Sequence, residues 1–200
     1  MKGRIIPSKI TKKLLDNVEN LIHKPKEVGF FRRVWNTESD IYLNRIKSIG
    51  MSGLERVLDA GCGYGQWTFP LAQMNKFVLG VDVEENRVDV ASKLFQSLRV
   101  KNAIFEQGDI EKLDLYEEGF DGIFCYSALY FTDYRKTLKR FHNLLKPGAH
   151  LYFSTNDIGW YFYNILNEHN STADFSSSEM GMDAIDNSIK YFSGSRYDKG

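Results

Sequence analysis

Val57-Leu58-Asp59-Ala60-Gly61-Cys62-Gly63-Tyr64-Gly65-Gln66-Trp67 is the stretch whose reading decides the fold. A short apolar run ends in an acid and breaks into alternating glycines, and an amphipathic segment follows. That succession reads as strand, tight turn and helix. Glycines suit such a turn because, without a Cβ, they tolerate positive φ and let the backbone approach a ligand closely. The helix beginning after them presents unpaired N–H groups and the positive end of its dipole, so the turn is built to hold something polar.

Downstream the rhythm repeats. Phe77–Asp82 reads as a second strand, followed by a helix near 85–98, then strands at Ala103–Gln107 and Gly122–Tyr126, a helix near 133–145 and a strand near 149–155. With a helix near 66–75 after the glycines, this βαβα order predicts an α/β fold, a doubly wound parallel sheet of five strands with helices on both faces. Ligands of such sheets lie beyond the carboxyl ends of the strands. Asp59 and Gly61, Asp82, Asp109, Tyr126 with Ser127, and Asn156 with Asp157 follow the successive strands, so polar groups converge on one edge.

Upstream, Ile10, Leu14, Leu15, Val18, Leu21 and Ile22 recur at helical spacing after Pro7-Ser8 and predict a helix near 8–23. A loop carrying Phe30, Phe31 and Trp35 is expected next, then a helix near 38–50 ending at Gly50. Residues 1–53 thus read as a helical N-terminal extension, 55–156 as the core and 157–200 as a helical and loop cap, all within one domain. The cap holds an aromatic helix over 160–166, a polar loop from Asn170 to Ser178 and a last helical pattern at Met182, Ile185, Ile189 and Phe192.

Composition narrows the function classes. Formal net charge is zero over 200 residues, which argues against a protein-wide grip on nucleic acid. The basic lean of the first 35 residues lacks the aromatic interleaving that base stacking needs and reads as a solvated helix face. Cys62 and Cys125 have no CxxC spacing, so neither a disulfide framework nor a zinc site is expected, and a reducing, cytoplasmic setting fits. No apolar run reaches transmembrane length.

A Gly-x-Gly-x-Gly turn alone is weak evidence, since nicotinamide and flavin enzymes use similar turns. Here it coincides with Gly80-Val81-Asp82-Val83 closing the second strand, Gly108-Asp109-Ile110 after the third, Phe120 to Cys125 leading into Ser127-Ala128-Leu129-Tyr130, and Leu145-Lys146-Pro147-Gly148 before the fifth. Together these resemble the class I S-adenosylmethionine-dependent methyltransferases over residues 55–156. The resemblance implies a Rossmann-like fold and S-adenosyl-L-methionine as cofactor, with S-adenosyl-L-homocysteine as product and a small-molecule acceptor. It implies that Gly61, Gly63 and Gly65 let the backbone pass the methionine moiety, with Asp59 supporting the turn or the amino group. Asp82 would bind the ribose hydroxyls, Val83 pack on adenine, Asp109 accept from the adenine amino group with Ile110 beside the ring, and Tyr126 to Ala128 line the methyl end.

Other readings stand beside these. Asp82 would otherwise cap the following helix, and Asp109 would be a turn aspartate bonded to its own backbone. Arg33 and Trp35 read either as lid contacts or as surface residues. Tyr130 and Asp157 are the weak candidates for a catalytic role, against a wall residue and a helix cap respectively. No carboxylate ends the fourth strand to join Asn156 and Asp157 around magnesium, so no metal is expected. The Asn-Pro-Pro-Tyr-type signature of enzymes acting on amino groups of bases or glutamine is missing. A nicotinamide-dependent short-chain oxidoreductase would want Tyr-x-x-x-Lys, and none of the eleven tyrosines has lysine four residues later. A cofactor-binding regulatory partner without transferase activity is the remaining alternative.

Similar enzymes complete a seven-stranded sheet with a hairpin after the fifth strand, whereas residues 157–200 show helical and loop patterns. The expectation is therefore a sheet lacking its last two strands, either because the chain is part of a longer protein or because the cap or a partner copy covers the exposed edge.

Overall fold

The computed structural model describes residues 12–36, 39–115, 117–169, 171–172 and 175–192. Five strands form one parallel sheet: β1 Arg56–Ala60, β2 Phe77–Asp82, β3 Ala103–Gln107, β4 Phe120–Tyr126 and β5 Leu145–Ser154, in the order β3-β2-β1-β4-β5. The order reverses direction at β1, so the β1–β4 gap is the switch point where such sheets open a crevice. β5 pairs continuously from His150 and joins Leu145 to Phe120 across an irregularity.

Alternate residues of the central strands β1, β2 and β4 feed opposite cores, as the two-residue period requires. Val57, Val78 and Phe124 face one layer with Leu71, Leu94 and Phe95, while Leu58, Leu79 and Ile123 face the other with Phe141 and Leu144. The first layer contains α4 Thr68–Met74 and α5 Glu85–Ser97; the second contains α6 Tyr134–Leu144. Asp133 caps α6, its carboxylate accepting from the Lys136 N–H.

The N-terminal extension joins the first layer through α1 Lys12–Glu19, α2 Pro25–Trp35 and α3 Ser39–Ser48. The expected first helix is present over Lys12–Glu19 and stops four residues short of the expected end at 23, and its residues 8–11 lie outside the described ones. The expected loop around Phe30 is instead helix α2. Pro25 occupies the first turn, where a missing N–H costs nothing, and Phe31 and Trp35 one turn apart bury together.

Beyond β5 lie α7 Ile158–Asn167 and α8 Ser177–Phe192. The described residues of this cap add only an isolated Thr172–Phe175 bridge to the strand content, so β5 is an edge, as expected.

Candidate active site

The glycine turn is fixed from below. The Gly61 and Cys62 N–H groups both donate to the Val81 carbonyl, at 2.8 and 2.9 Å, and the Gly63 N–H donates to Asp82 Oδ2 at 2.8 Å. Gly61, Gly63 and Gly65 all have positive φ. They do different work, however. A Cβ on Gly61 would collide with Ala128 after β4, and one on Gly65 would lie 2.8 Å from Phe95 and 3.0 Å from Phe105, in the core. One on Gly63 would meet only the Gln66 side chain, at 3.3 Å.

A cleft of about 1130 Å³ opens above the carboxyl ends of the strands. That exceeds the ~300–1,000 Å³ of ordinary ligand sites and leaves room for two small molecules. Gly61, Gly63, Asp82 and Val83 line one stretch of it, Asp109 and Ile110 another, and Tyr126, Ser127 and Tyr130 a third. Asp59, Gly65 and Asp157 are not among its lining residues.

Asp59 lies beneath the turn, 1% exposed, with Oδ2 accepting from Thr68 Oγ1 at 2.6 Å. Burial, opposed by the Thr68 hydrogen bond and reinforced by the nearby Asp82 charge, pushes its carboxyl up to about 7. Gly65 is a packing residue, and Asp157 caps α7 by accepting from the Trp160 N–H at 2.9 Å.

Asp82 uses one side of each oxygen on the backbone, Oδ2 for Gly63 and Oδ1 for the Glu84 N–H at 3.0 Å. Each oxygen keeps a further acceptor position. Beside it Val83 is 64% exposed, an apolar side chain with an open face in the cleft. Asp109 accepts from the Glu111 N–H and pairs with Lys112 at 3.0 Å. Burial raises its carboxyl, but those two partners outweigh it and hold it below the usual carboxylate range.

Ser127 has φ 55°, in the left-handed region, with its N–H donated to Ser154 Oγ at 2.8 Å. A non-glycine residue held there stores strain of the kind found at functional sites. The hydroxyl of the half-buried Tyr130 is pushed up by burial and by Tyr161, which keeps it protonated.

Two features escaped the sequence analysis, and a third was offered there only through Arg33. Gln66 Oε1 is a buried acceptor without a hydrogen-bond partner, on a residue that lines the cleft beside Gly63. A buried acceptor left unmet costs roughly 1–3 kcal/mol, and a donor arriving in the cleft would remove that cost. Its position one residue past the last glycine was the only available signal.

The N-terminal helices supply a second feature, a wall. Glu27 of α2 takes two bonds from Arg87, at 2.9 and 2.7 Å, and one from the Tyr64 hydroxyl at 3.0 Å, while Trp35 Nε1 donates to the Tyr64 carbonyl at 3.2 Å. Burial alone would raise the Glu27 carboxyl, but Arg87 and Tyr64 together bring it below its ordinary value.

The third feature is a roof. Asn187 of α8 donates to the Tyr130 and Thr132 carbonyls at 2.7 and 3.2 Å. Arg33 of α2 donates to Thr172 Oγ1 at 3.2 Å and lies over the Phe30 and Phe175 rings at 5.5 and 5.4 Å. Arg33 is exposed and at the same time ties α2 to the segment that precedes α8.

Comparison with known proteins agrees with this architecture. A family profile described as a methyltransferase domain matches residues 52–191. The methyltransferase YcgJ of Bacillus subtilis is 35% identical over 102 residues, 50% of this chain and 40% of its own. A ubiquinone biosynthesis O-methyltransferase of Coxiella burnetii is 35% identical over 115 residues, 56% of this chain and 49% of its own. The chain thus spans about half the length of the curated relatives it matches. Among solved structures, YcgJ aligns with TM-score 0.55 at 25% identity, covering 74% of this chain and 68% of that one. An S-adenosylmethionine-dependent methyltransferase of Mesorhizobium loti aligns with TM-score 0.53 at 25% identity, covering 64% and 58%. The sheet order, the cleft at its switch point and these matches together place the chain in the class I S-adenosylmethionine-dependent methyltransferase family.

Proposed function

We propose that this chain binds S-adenosylmethionine in the cleft above the glycine turn and transfers its methyl group to a small-molecule acceptor. The observation that carries the reading is the alignment, along one cleft, of Asp82 with spare acceptor positions, the open face of Val83 and the unmet Gln66 Oε1. A ribose diol, a purine face and an ammonium group are the respective complements of those three. The residues present therefore fit the cofactor.

A sulfonium methyl is already electrophilic, so what remains for the protein is alignment and exclusion of water. Gly61 and Gly63 keep the floor low, and Tyr126 and Ser127 form the wall at the end of β4. Tyr130 offers a protonated hydroxyl there, and α7 and α8 cover the opening with Trp160, Glu179 and Tyr191 among the lining residues.

Calorimetric titration with S-adenosylhomocysteine, with NAD as control, tests the reading. Saturable binding of the first ligand alone is expected, weakened roughly tenfold in Gln66→Leu, the equivalent of about 1.4 kcal/mol for one buried hydrogen bond. Absence of binding by the folded protein, or preference for NAD, refutes it. Transfer of labelled methyl to small acceptors then separates an enzyme from a binding subunit.

A further inference from the structure

The geometry points to an acceptor with an apolar, ring-sized body and a carboxylate that Arg45 of α3 receives. This inference rests on the reading above that the glycine-turn half of the cleft holds the methyl donor, and it assigns the other half.

Arg45 lines the cleft, exposed to solvent, with its guanidinium 5.7 Å over the Tyr126 ring. Among the described residues no carboxylate pairs with it, whereas Arg32 has Glu19 at 2.6 Å and Arg87 has Glu27 at 2.7 Å. A guanidinium lying over a ring keeps its N–H donors directed outward in its own plane, where they match the two oxygens of a carboxylate.

The surface beside it is aromatic. Tyr42 meets Trp67 edge-on at 4.3 Å, and Trp67 lies 4.8 Å from Tyr126. All three residues line the cleft. Tyr126 is the last residue of β4 and immediately precedes the strained Ser127, so this wall begins where the glycine-turn half of the cleft ends. An apolar ring laid on that wall would exclude water from the guanidinium and strengthen its pairing with an anion.

The cleft also holds carboxylates: Asp82 and Asp109 at the strand ends, Glu27 paired with Arg87, Glu111 accepting from the Asp133 N–H, and Glu179 and Asp183, which come from α8 on the roof and not from the wall that carries Arg45. They define the competing outcome, a cationic acceptor, which the test must detect.

The probes are 4-hydroxybenzoate, its uncharged amide 4-hydroxybenzamide and the cation 4-hydroxybenzylamine, titrated calorimetrically with and without saturating S-adenosylhomocysteine. The benzoate is expected to bind at least tenfold more tightly than the amide, about 1.4 kcal/mol. That ratio is expected to fall to near one in Arg45→Gln, to survive in part in Arg45→Lys, and to shrink with added salt. Affinity of Arg45→Gln for S-adenosylhomocysteine within twofold of the parent shows that the rest of the cleft is intact. A ratio near one in the parent, a ratio unchanged in Arg45→Gln, or tightest binding of the amine overturns the inference. Failure of S-adenosylhomocysteine to bind refutes the cofactor reading separately, because the benzoate-to-amide ratio is measured without it as well.

Discussion

Replacing Asp59 by asparagine is expected to make the protein more stable relative to the parent as pH rises. The carboxyl is 1% exposed and among the described residues receives the Thr68 hydroxyl, and burial with the neighbouring Asp82 charge lifts it from its ordinary 3.8 to about 7. A carboxyl raised on folding stabilises the native state fully below the unfolded value, near pH 3.8, and that contribution is lost as pH climbs toward 7. The difference is about three pH units, and at about 1.36 kcal/mol for each the ionised carboxylate costs on the order of 4 kcal/mol above pH 7. Asparagine imitates the neutral acid, and its amide oxygen still accepts from Thr68. The stability of Asp59→Asn minus that of the parent should therefore rise by roughly 4 kcal/mol between pH 4 and pH 8. For a chain of this size that corresponds to roughly 8–16 °C in relative Tm. Urea and thermal unfolding followed by far-ultraviolet circular dichroism over pH 4–8 measure it, and the difference cancels the titrating groups that do not interact with Asp59. A difference that stays flat, or that falls toward high pH, would mean that Asp59 is ionised with a partner, and the reasoning would fail.

Two other substitutions separate stability from binding. Gly65→Ala places a methyl 2.8 Å from Phe95 at a backbone with φ 80°, so a loss of roughly 2–5 kcal/mol is expected from strain and overpacking together, whereas Gly63→Ala, which meets only the flexible Gln66, should lose less than half as much; urea midpoints decide. Arg33→Ala removes the bond to Thr172 and the stacking on Phe175 that tie α2 to the roof, so S-adenosylhomocysteine should dissociate roughly three- to tenfold faster in stopped flow while Tm changes by only a few degrees. An unchanged off-rate would show that Arg33 does not hold the roof closed.

The central strands β1, β2 and β4 were legible because each is a short apolar run buried on both faces and bounded by a turn, a pattern that leaves little choice of register, whereas β3 and β5, exposed along much of their length, were placed by the alternation of strands with helices. The residues at their carboxyl ends were legible for the same reason, since topology alone carries Asp82, Asp109 and Tyr126 to one edge. What alternation could not convey was direction within the glycine turn. Gly61 and Gly65 look equivalent by spacing, yet one faces Ala128 and the other the Phe95–Phe105 pair, a distinction set by α5 and β3, which arrive from later in the sequence. Asp157 read equally well as a site residue and as a helix cap, and only the 2.9 Å bond to Trp160 separates the two.

The least legible parts are those that fix specificity. Helix α2 was hidden because its aromatic cluster around Gly29 looks like a loop until Pro25 and the Phe31–Trp35 spacing are set against a partner surface. Its ion pair to Arg87 spans 60 residues of sequence, and the Asn187 bonds span 57 and 55. Contacts of that separation leave no periodic trace. The division has a physical basis: the half of the cleft built by strand ends must satisfy sheet pairing and close packing, which constrain residue type strongly. The half built by α2, α3 and α8 needs only an amphipathic face inward, and leaves residues such as Arg45 and Glu179 free to set which acceptor is held. Exchanging Arg45 and Glu179 should then change acceptor preference while, on the proposed placement of the cofactor at the strand ends, S-adenosylhomocysteine affinity changes little.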